Sequence, residues 1–364
     1  MRVRIFALLL VAAGVLAAVG PRPARAQSGS GLDLMDVDIM FIGAHPDDDT
    51  GIMATFARYL LDEGYKGTVM TLTGGEGGGN AIGRESGPSL GLIRQEEERR
   101  SLAMIGVMAP QFIGLQDFYF TLSAEEVQKH WGDTWLCDVV RRVRLNRPEV
   151  LVTMWPGPGT HGEHQMAARA ATIAFEKAGD PSYCADQITR EFLQPFAPAK
   201  LYYYPNDPKG PGIVSVPSDG FSRAAARTFA DIRAIAASSY RSQGFDRGTR
   251  LPADPRPEVF LLVRSRVPVS DPESHLLEGA LRPAGTSPAG VRLESLTDGI
   301  DAALGADFPV EVRFANTTAA SLHALKVGLR APEGWTVTPR GAAPATTLAP
   351  GGSVVSRFFV KPAA

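Results

Sequence analysis

Two short stretches of the chain concentrate side chains that can bind a metal ion and move protons. The first contains His45 and Asp47–Asp49, and the second contains His161, Glu163 and His164. Three adjacent aspartates repel one another unless a cation or hydrogen bonds compensate for their charge. Two imidazoles and one carboxylate are enough to hold a catalytic zinc ion and leave one coordination position open. The two stretches therefore predict a divalent metal site; the alternative is a solvated acidic loop with a histidine that caps a helix.

Each stretch follows a predicted buried strand. Short apolar runs predict strands at residues 37–44, 68–73 and 150–155. Helical spacing predicts helices at 50–63, 93–106, 127–145 and 162–179. This alternation indicates an α/β fold, a Rossmann-like three-layer sandwich with a mostly parallel sheet. Ligands bind at the carboxyl ends of the strands in such sheets, and both stretches are predicted to lie there.

The motifs resemble those of a known family. Ala44-His45-Pro46-Asp47-Asp48-Asp49 resembles the AHPDD(E) signature of the PIG-L/LmbE-like zinc de-N-acetylases, and His161-x-x-His164 resembles their HxDH motif. Further matches follow in the same order: the glycine-rich loop at 71–78, the helix at 94–106, Gly114-Leu115-Gln116-Asp117 and Ser242-Gln243. The resemblance covers about residues 35–265.

The resemblance implies an amide hydrolase in which a zinc-bound water attacks an N-acetyl group. It implies His45, Asp48 and His164 as the zinc ligands and Asp47 as the general base. His161 would stabilise the developing oxyanion or protonate the leaving amine. Because sites of histidine and carboxylate accept several divalent ions, iron or cobalt are alternatives to zinc.

Three further residues are candidates for substrate binding. The resemblance places Arg94 and Asp117 at positions that contact substrate hydroxyls, and the alternative is an ion pair. Trp155 ends the third predicted strand and is a candidate for stacking on a sugar, although aromatic side chains more often pack in cores. The chain also departs from the family pattern. Asp49 replaces the usual Glu, and Gly162-Glu163 replaces the usual Pro-Asp, so Glu163 is expected to orient His161 differently.

A second domain is predicted after the α/β part. Alternating runs at 310–314, 325–329 and 354–360, separated by turn signals, predict a small antiparallel β-sandwich. This region resembles the NPCBM-associated Ig-like domains of carbohydrate-active enzymes, which implies either glycan binding or a spacer. The predicted organisation is a signal peptide at 1–26, a deacetylase domain at 27–265, a linker at 266–290 and an Ig-like β-sandwich at 291–364.

The first residues have the pattern of a secretory leader. Arg2 and Arg4 precede an apolar run at 5–19, and a small-x-small cleavage signal lies at 24–26. The expected product is periplasmic or extracellular with no stable membrane span; the alternative is an uncleaved anchor. In an oxidising compartment, Cys137 and Cys184 would either form a disulfide or remain small buried thiols.

Composition limits the partners. The 364 residues include 37 Lys and Arg against 39 Asp and Glu, and 44% are hydrophobic. This balance lacks the basic surplus of nucleic-acid-binding proteins, so no nucleic-acid partner is expected. The leading hypothesis is an exported zinc-dependent N-deacetylase of an N-acetylglucosamine-containing sugar or glycoconjugate. The alternatives are a zinc amidase with a non-sugar substrate and a glycan-binding protein whose hydrolase domain is inactive.

Overall fold

The computed structural model describes most of the chain: residues 3–4, 35–157, 159–204, 212–269, 273, 275–280, 291–295, 301–302, 306–316, 321–325, 327–329, 331, 334–341 and 346–362. Apart from residues 3–4, the predicted signal peptide lies outside these residues. The chain divides into two compact units, residues 29–277 and residues 278–364 together with 1–28. The predicted bounds of the leader and the linker stay predictions.

The first unit is built on a seven-stranded sheet. Its strands are β1 (Ile39–Gly43), β2 (Gly67–Thr73), β3 (Gln111–Leu115), β4 (Val150–Met154), β5 (Lys200–Tyr204), β6 (Ile213–Val216) and β7 (Glu258–Ser265). Their order across the sheet is β3-β2-β1-β4-β5-β7-β6. The first five are mutually parallel, whereas β7 is antiparallel to both β5 and β6. The predicted mostly parallel sheet is confirmed.

Helices connect the strands in two groups. They are α1 (Met53–Ala57), α2 (Pro88–Met104), α3 (Ala124–Trp131), α4 (Trp135–Asn146), α5 (Gly162–Lys177), α6 (Asp186–Thr189) and α7 (Phe229–Ala237). α1 and α2 pack against α7, whereas α3 and α4 pack against α5. Because the strand order reverses direction between β1 and β4, right-handed crossovers place the two groups on opposite faces.

The structure corrects two helix predictions and adds four strands, β3, β5, β6 and β7, to the sheet. The helix predicted at 127–145 is two helices, α3 and α4, because Gly132 between them has a φ of 72° that a helix cannot contain. The helix predicted at 50–63 is α1 flanked by a 3-10 turn at Asp48–Gly51 and a π-helical turn at Arg58–Asp62. Strand β3 was not predicted, because its run of five residues is short and contains a glycine.

The second unit contains an antiparallel sheet. Strands β8 (Val291–Ser295), β9 (Phe308–Asn316), β10 (Thr336–Arg340) and β11 (Ser353–Lys361) are ordered β8-β9-β11-β10. Alternate residues of β9 are buried against Leu325, Leu348, Phe358 and Val360. A single bridge, Leu322–Leu348, replaces the strand predicted at 325–329, where the described residues form no strand. The antiparallel strands are consistent with the predicted β-sandwich. In addition, Val3–Arg4 pairs with Asp301–Ala302.

A disulfide joins Cys137 in α4 to Cys184, which precedes α6. Their Cα atoms lie 5.8 Å apart, although the two residues are separated by 47 positions in the sequence. The structure therefore decides between the disulfide and the two buried thiols that the sequence left open. Among the described residues, none of the helices has the length and apolar character needed to cross a bilayer.

Candidate active site

The two stretches of chemically active side chains meet where the strand order reverses. The loop after β1 carries His45 to Asp49, and the segment after β4 leads through His161 into helix α5. β1 and β4 are adjacent parallel strands, with Ile39 opposite Val150, so their carboxyl ends lie side by side. A reversal of this kind opens a crevice at the edge of the sheet.

Three predicted ligands converge in this crevice. His164 Nε2 lies 3.2 Å from His45 Nδ1 and 3.2 Å from Asp48 Oδ1. His45 Nδ1 lies 3.7 Å from Asp48 Oδ2. A tetrahedral zinc ion with bonds of about 2.0–2.1 Å holds its donor atoms about 3.3 Å apart. The two contacts of Asp48 are made by different carboxylate oxygens, and the donor types, two imidazole nitrogens and a carboxylate, suit a zinc-like ion.

Two other groups of donors occur nearby. The first group consists of one ring nitrogen from each of His45, His161 and His164, and these atoms lie within 4.8 Å of one another. The second group consists of one ligand atom from each of His45, Asp117 and Glu163, again within 4.8 Å of one another. In the second group, His45 Nε2 is already 2.8 Å from Glu163 Oε2, which is a hydrogen-bond distance and too short for two ligands of one ion. In the set of His45, Asp48 and His164, by contrast, His45 Nδ1 faces the other donors and Nε2 stays with Glu163.

Asp48 is held rigidly by backbone groups. Its Oδ2 accepts hydrogen bonds from the backbone N–H groups of Ala44 and His45, both at 2.7 Å. Tyr204 on β5 donates its hydroxyl to the backbone carbonyl of Asp48 at 2.8 Å. Burial alone would raise the pKa of Asp48, but the charges and hydrogen bonds of His164 and His45 outweigh burial and hold that pKa well below its usual range. Asp48 is therefore fixed in its ionised form.

Glu163 supports His45 from behind. The Glu163 side chain is fully buried, and its Oε2 lies 2.8 Å from His45 Nε2, on the side of the ring opposite the ligand nitrogen. Burial raises the pKa of Glu163, and the hydrogen bond to His45 opposes that shift. A carboxylate on the far nitrogen fixes the tautomer and the orientation of a metal-binding histidine. The expectation that Glu163 orients His161 was wrong, because its partner is His45.

Asp47 has an unusual backbone. Its φ of 117° is rare for a residue with a side chain, and such strain often accompanies functional sites. The backbone is stabilised nearby by Gln243, whose Nε2 donates to the carbonyl of Pro46 at 2.6 Å. Burial and the neighbouring charge of Asp48 raise the pKa of Asp47 well above its usual value. A carboxylate whose affinity for protons is raised is suited to proton transfer.

His161 lies between two rings. It is stacked on His45 at 5.1 Å and on Phe120 at 4.9 Å between ring centroids. Its Nε2 is buried and has no hydrogen-bond partner within the described residues. Burial, together with the charges of His45 and His164, lowers the pKa of His161 to about 4. The Nε2 atom of this neutral ring is therefore available to form a hydrogen bond with a bound ligand, as a donor or an acceptor according to the tautomer.

Arg94 and Asp117 both support the glycine-rich loop. Arg94 donates to the carbonyls of Gly75 at 2.7 Å and Gly79 at 2.8 Å, while Asp117 Oδ2 accepts from the backbone N–H of Gly77 at 3.1 Å. Both side chains also line the cleft described below. Their contacts are with the backbone and not the ion pairs considered as the alternative, and their substrate contacts stay a prediction.

The predicted site residues line one open cleft of about 550 Å³. His45, Asp47, Asp48, His161 and His164 lie in its wall together with Trp155, which is 40% exposed. Other lining residues, which the sequence analysis did not assign to the site, include Phe120, Tyr204, Gln243 and Phe245. Gln243 carried a signal, because it belongs to the Ser-Gln motif, and Tyr204 belongs to a run of three tyrosines that could face a sugar.

Two parts of the chain match known protein families. Residues 40–175 match the PIG-L family, described as GlcNAc-PI de-N-acetylase. Residues 302–364 match the NPCBM-associated NEW3 domain of alpha-galactosidase. The chain is 31% identical over 201 residues to the 1D-myo-inositol 2-acetamido-2-deoxy-alpha-D-glucopyranoside deacetylase of Streptomyces scabiei, covering 50% of this chain and 59% of that protein.

Two more proteins extend the comparison. The mycothiol S-conjugate amidase of Streptomyces coelicolor is 28% identical over 187 residues, covering 45% of this chain and 59% of that protein. The solved structure of N,N'-diacetylchitobiose deacetylase from Pyrococcus horikoshii is 18% identical and covers 62% of this chain and 83% of its own, with a TM-score of 0.48. The chain spans about three-fifths of the length of the curated relatives it matches.

Proposed function

Because residues 40–175 form a PIG-L family domain, we propose that this chain is a metal-dependent hydrolase that removes acetyl from an N-acetylglucosamine-containing sugar or glycoconjugate. The observation that carries the proposal is the convergence of His45 Nδ1, Asp48 and His164 Nε2 within 3.2–3.7 Å at the base of an open cleft. Relatives named as deacetylases of an acetamido sugar support the substrate class.

The residues of the cleft have different roles in the proposed reaction. A divalent ion bound by the three ligands would polarise the amide carbonyl and lower the pKa of a coordinated water. Asp47 would accept the proton of the attacking water. His161 Nε2 would donate a hydrogen bond to the carbonyl oxygen, where negative charge develops, or pass a proton to the leaving nitrogen. Water and amide thus yield acetate and a free amine.

We also propose that the metal is zinc and that the protein is exported, and each of these two proposals has its own support. The histidine and carboxylate donors suit zinc, and iron or cobalt would be accepted by the same set. The leader-like residues 1–26 and the Cys137–Cys184 disulfide support a periplasmic or extracellular location, since disulfides persist in oxidising compartments. Fractionation of cells that produce the tagged chain would contradict export if all of it stayed in the cytoplasm.

Acetate release tests the proposal directly. The purified full chain is stripped with a chelator, reloaded with zinc, iron or cobalt, and incubated with N-acetylglucosamine, N,N'-diacetylchitobiose, an N-acetylglucosaminyl inositol and peptidoglycan fragments. We expect acetate only after metal is restored, and loss of activity in His164→Ala. If a metal-loaded protein released no acetate from any of these, the substrate class would be wrong. Glycan affinity without turnover, unchanged in Asp47→Asn, would favour the glycan-binding alternative.

One comparison favours a second candidate. The similarity to a protein named mycothiol S-conjugate amidase suggests that the same centre can serve another amide. The metal centre acts on the amide, whereas the surrounding loops select the rest of the substrate. Amine release from a panel of N-acylated thiol conjugates, with none from acetamido sugars, would select this alternative.

A further inference from the structure

Two residues of the matched motifs, Glu97 and Ser242, have no part in the proposed reaction, yet they contact each other. Glu97 lies on α2, and Ser242 lies on a short 3-10 turn, Arg241–Gln243, that follows α7. One oxygen of Glu97 accepts a hydrogen bond from the backbone N–H of Ser242 at 2.8 Å, and the other accepts one from its hydroxyl at 2.6 Å. Both side chains are buried. The contact therefore joins α2 firmly to the turn that carries Gln243.

The turn is held by other parts of the site as well. The Ser242 carbonyl accepts a hydrogen bond from the N–H of Ala81 at 2.7 Å, so the backbone N–H, the carbonyl and the hydroxyl of Ser242 are all bonded. Tyr240, just before the turn, donates its hydroxyl to Asp49 Oδ1 at 2.6 Å. Tyr240 and Asp49 are also buried. The turn is thus a fixed support beside the loop that carries two of the predicted metal ligands.

Gln243 extends from this turn to the peptide group that precedes Asp47. Its Nε2 donates to the Pro46 carbonyl at 2.6 Å. That carbonyl belongs to the peptide plane whose rotation about the N–Cα bond of Asp47 defines φ of Asp47. On the other side, the Asp47 carbonyl accepts a hydrogen bond from the N–H of Thr50 at 2.9 Å. Hydrogen bonds therefore fix both peptide planes that flank Asp47.

The backbone of Asp47 needs this support. Its φ of 117° is unfavourable for a residue with a Cβ atom, and such a conformation persists only where the surrounding structure holds it. Without the hydrogen bond from Gln243, the peptide before Asp47 could turn and relieve the strain. The Asp47 carboxylate would then leave its place in the cleft wall. A displacement of about 1 Å at a reacting group can cost about 10²-fold in rate.

Glu97 itself does not reach the cleft. It lines neither the cleft nor the shallow depression of about 500 Å³ beside it, whereas Gln243 lines both. In the part of the chain that the structure describes, the hydrogen bonds of the Glu97 carboxylate go to Ser242 alone. Burial lowers the pKa of Arg94, and the charge of Glu97 is one of several that oppose that shift. A neutral variant of Glu97 that keeps the hydrogen bonds can therefore separate its contact with Ser242 from its charge.

We propose that Glu97 is a positioning residue for the general base. Through Ser242 and Gln243, it holds the peptide between Pro46 and Asp47 in the orientation that keeps the Asp47 carboxylate in the cleft. The inference rests on the proposed deacetylase function and adds to it a residue that acts without touching the substrate.

The first test measures kcat and KM of the zinc-loaded full chain with the acetylated sugars named above. Glu97→Leu removes both acceptors and should lower kcat about 10–100-fold, while KM and the zinc content change less than about twofold. Ser242→Ala removes one of the two bonds and should give a smaller loss of kcat in the same direction. Glu97→Gln removes the charge but can bond both groups of Ser242, so its kcat should stay within about threefold of the parent's. Glu96→Gln, the same change at the exposed neighbouring position, should leave kcat unchanged.

A double-mutant cycle shows whether Glu97 acts through Gln243. Gln243→Leu removes the donor to Pro46 and should lower kcat at least as much as Glu97→Leu. The double variant should be no slower than Gln243→Leu alone, because two changes in one chain of contacts do not add. If the two losses multiply, or if folded, zinc-loaded Glu97→Leu and Ser242→Ala keep the kcat of the parent, the inference is overturned while the function stands. A kcat in Glu97→Gln as low as in Glu97→Leu, or a change in KM alone, also overturns it.

A measurement independent of activity follows the backbone of Asp47. Glycine accepts a φ of 117° at little cost whereas alanine does not, so Asp47→Gly should unfold at a temperature about 2–4 °C above that of Asp47→Ala. In the Glu97→Leu and Gln243→Leu backgrounds this difference should shrink, because the backbone is free to relax. If the parent releases no acetate from any sugar but the difference shrinks in this way, the proposed function fails and the support of Asp47 by Glu97 is retained. A difference of the same size in all three backgrounds overturns the inference, whether or not acetate is released.

Discussion

Replacing Glu163 by Gln is expected to weaken metal binding about tenfold. Glu163 Oε2 lies 2.8 Å from His45 Nε2 in a fully buried position, whereas His45 Nδ1 faces His164 and Asp48. Loss of such a supporting partner typically costs about 10–100-fold in metal affinity. Gln keeps an oxygen that accepts a hydrogen bond from the His45 ring but loses the negative charge. The loss of zinc affinity in Glu163→Gln should therefore be near tenfold, which corresponds to about 1.4 kcal/mol of binding free energy. Glu163→Ala removes the hydrogen-bond acceptor as well, and its loss of zinc affinity should be near 100-fold.

The assay is a competition titration of zinc against a chromophoric chelator at fixed pH. Glu176→Gln is the matched control, since it makes the same change at an exposed position of the same helix. Thermal unfolding of the metal-free variants shows whether the site or the whole fold has been weakened. If Glu163→Gln and Glu163→Ala both bind zinc as tightly as the parent while remaining folded, the supporting role assigned to Glu163 is wrong.

Three further outcomes are expected. Asp47→Asn should lower kcat for acetate release by about 10²–10⁴-fold without changing the zinc content measured by atomic emission, and unchanged kcat would exclude Asp47 as the base. Cys137→Ser, which breaks the bond to Cys184, should lower the free energy of unfolding by about 2–4 kcal/mol in urea titrations, with no effect of reductant on the variant. Burial would raise the pKa of Glu63, but its hydrogen bonds and charge interactions with His275 and Arg58 together outweigh burial and lower that pKa. The resulting stabilisation is present above the pKa of the unfolded chain and is lost as pH falls through the lower folded pKa. Unfolding measured from pH 6 to pH 3 should therefore lose less stability in Glu63→Gln than in the parent.

The sequence predicted the site more completely than its surroundings. Strands β1, β2 and β4 are short runs rich in apolar residues, and the rule that parallel strands end at one edge was enough to bring His45 and His164 together. Those predictions needed only local patterns and one topological rule. Phe120 and Phe245 could not be found in the same way, because their places in the cleft depend on loops that are neither periodic nor part of a motif.

Long-range pairings were also beyond the sequence. Cys137 and Cys184 are brought together by the packing of α4 beside the segment that follows α5, and no local pattern encodes that approach. The partner of Glu163 was wrongly predicted for a related reason. Proximity in sequence favoured His161, two residues away, but helix α5 turns Glu163 toward the sheet, where the His45 ring lies.

The departures from the family pattern at the start of α5 have physical reasons in this structure. Gly162 has no room for a side chain, because a Cβ there would lie 2.8 Å from the Ser123 carbonyl oxygen and 2.9 Å from Val127. Helix α5 therefore approaches α3 more closely than a residue with a side chain would allow. In this position the carboxylate of Glu163 reaches His45 at hydrogen-bond distance and is wholly excluded from solvent. The two changes thus occur together on one turn, and neither removes a ligand from the set formed by His45, Asp48 and His164.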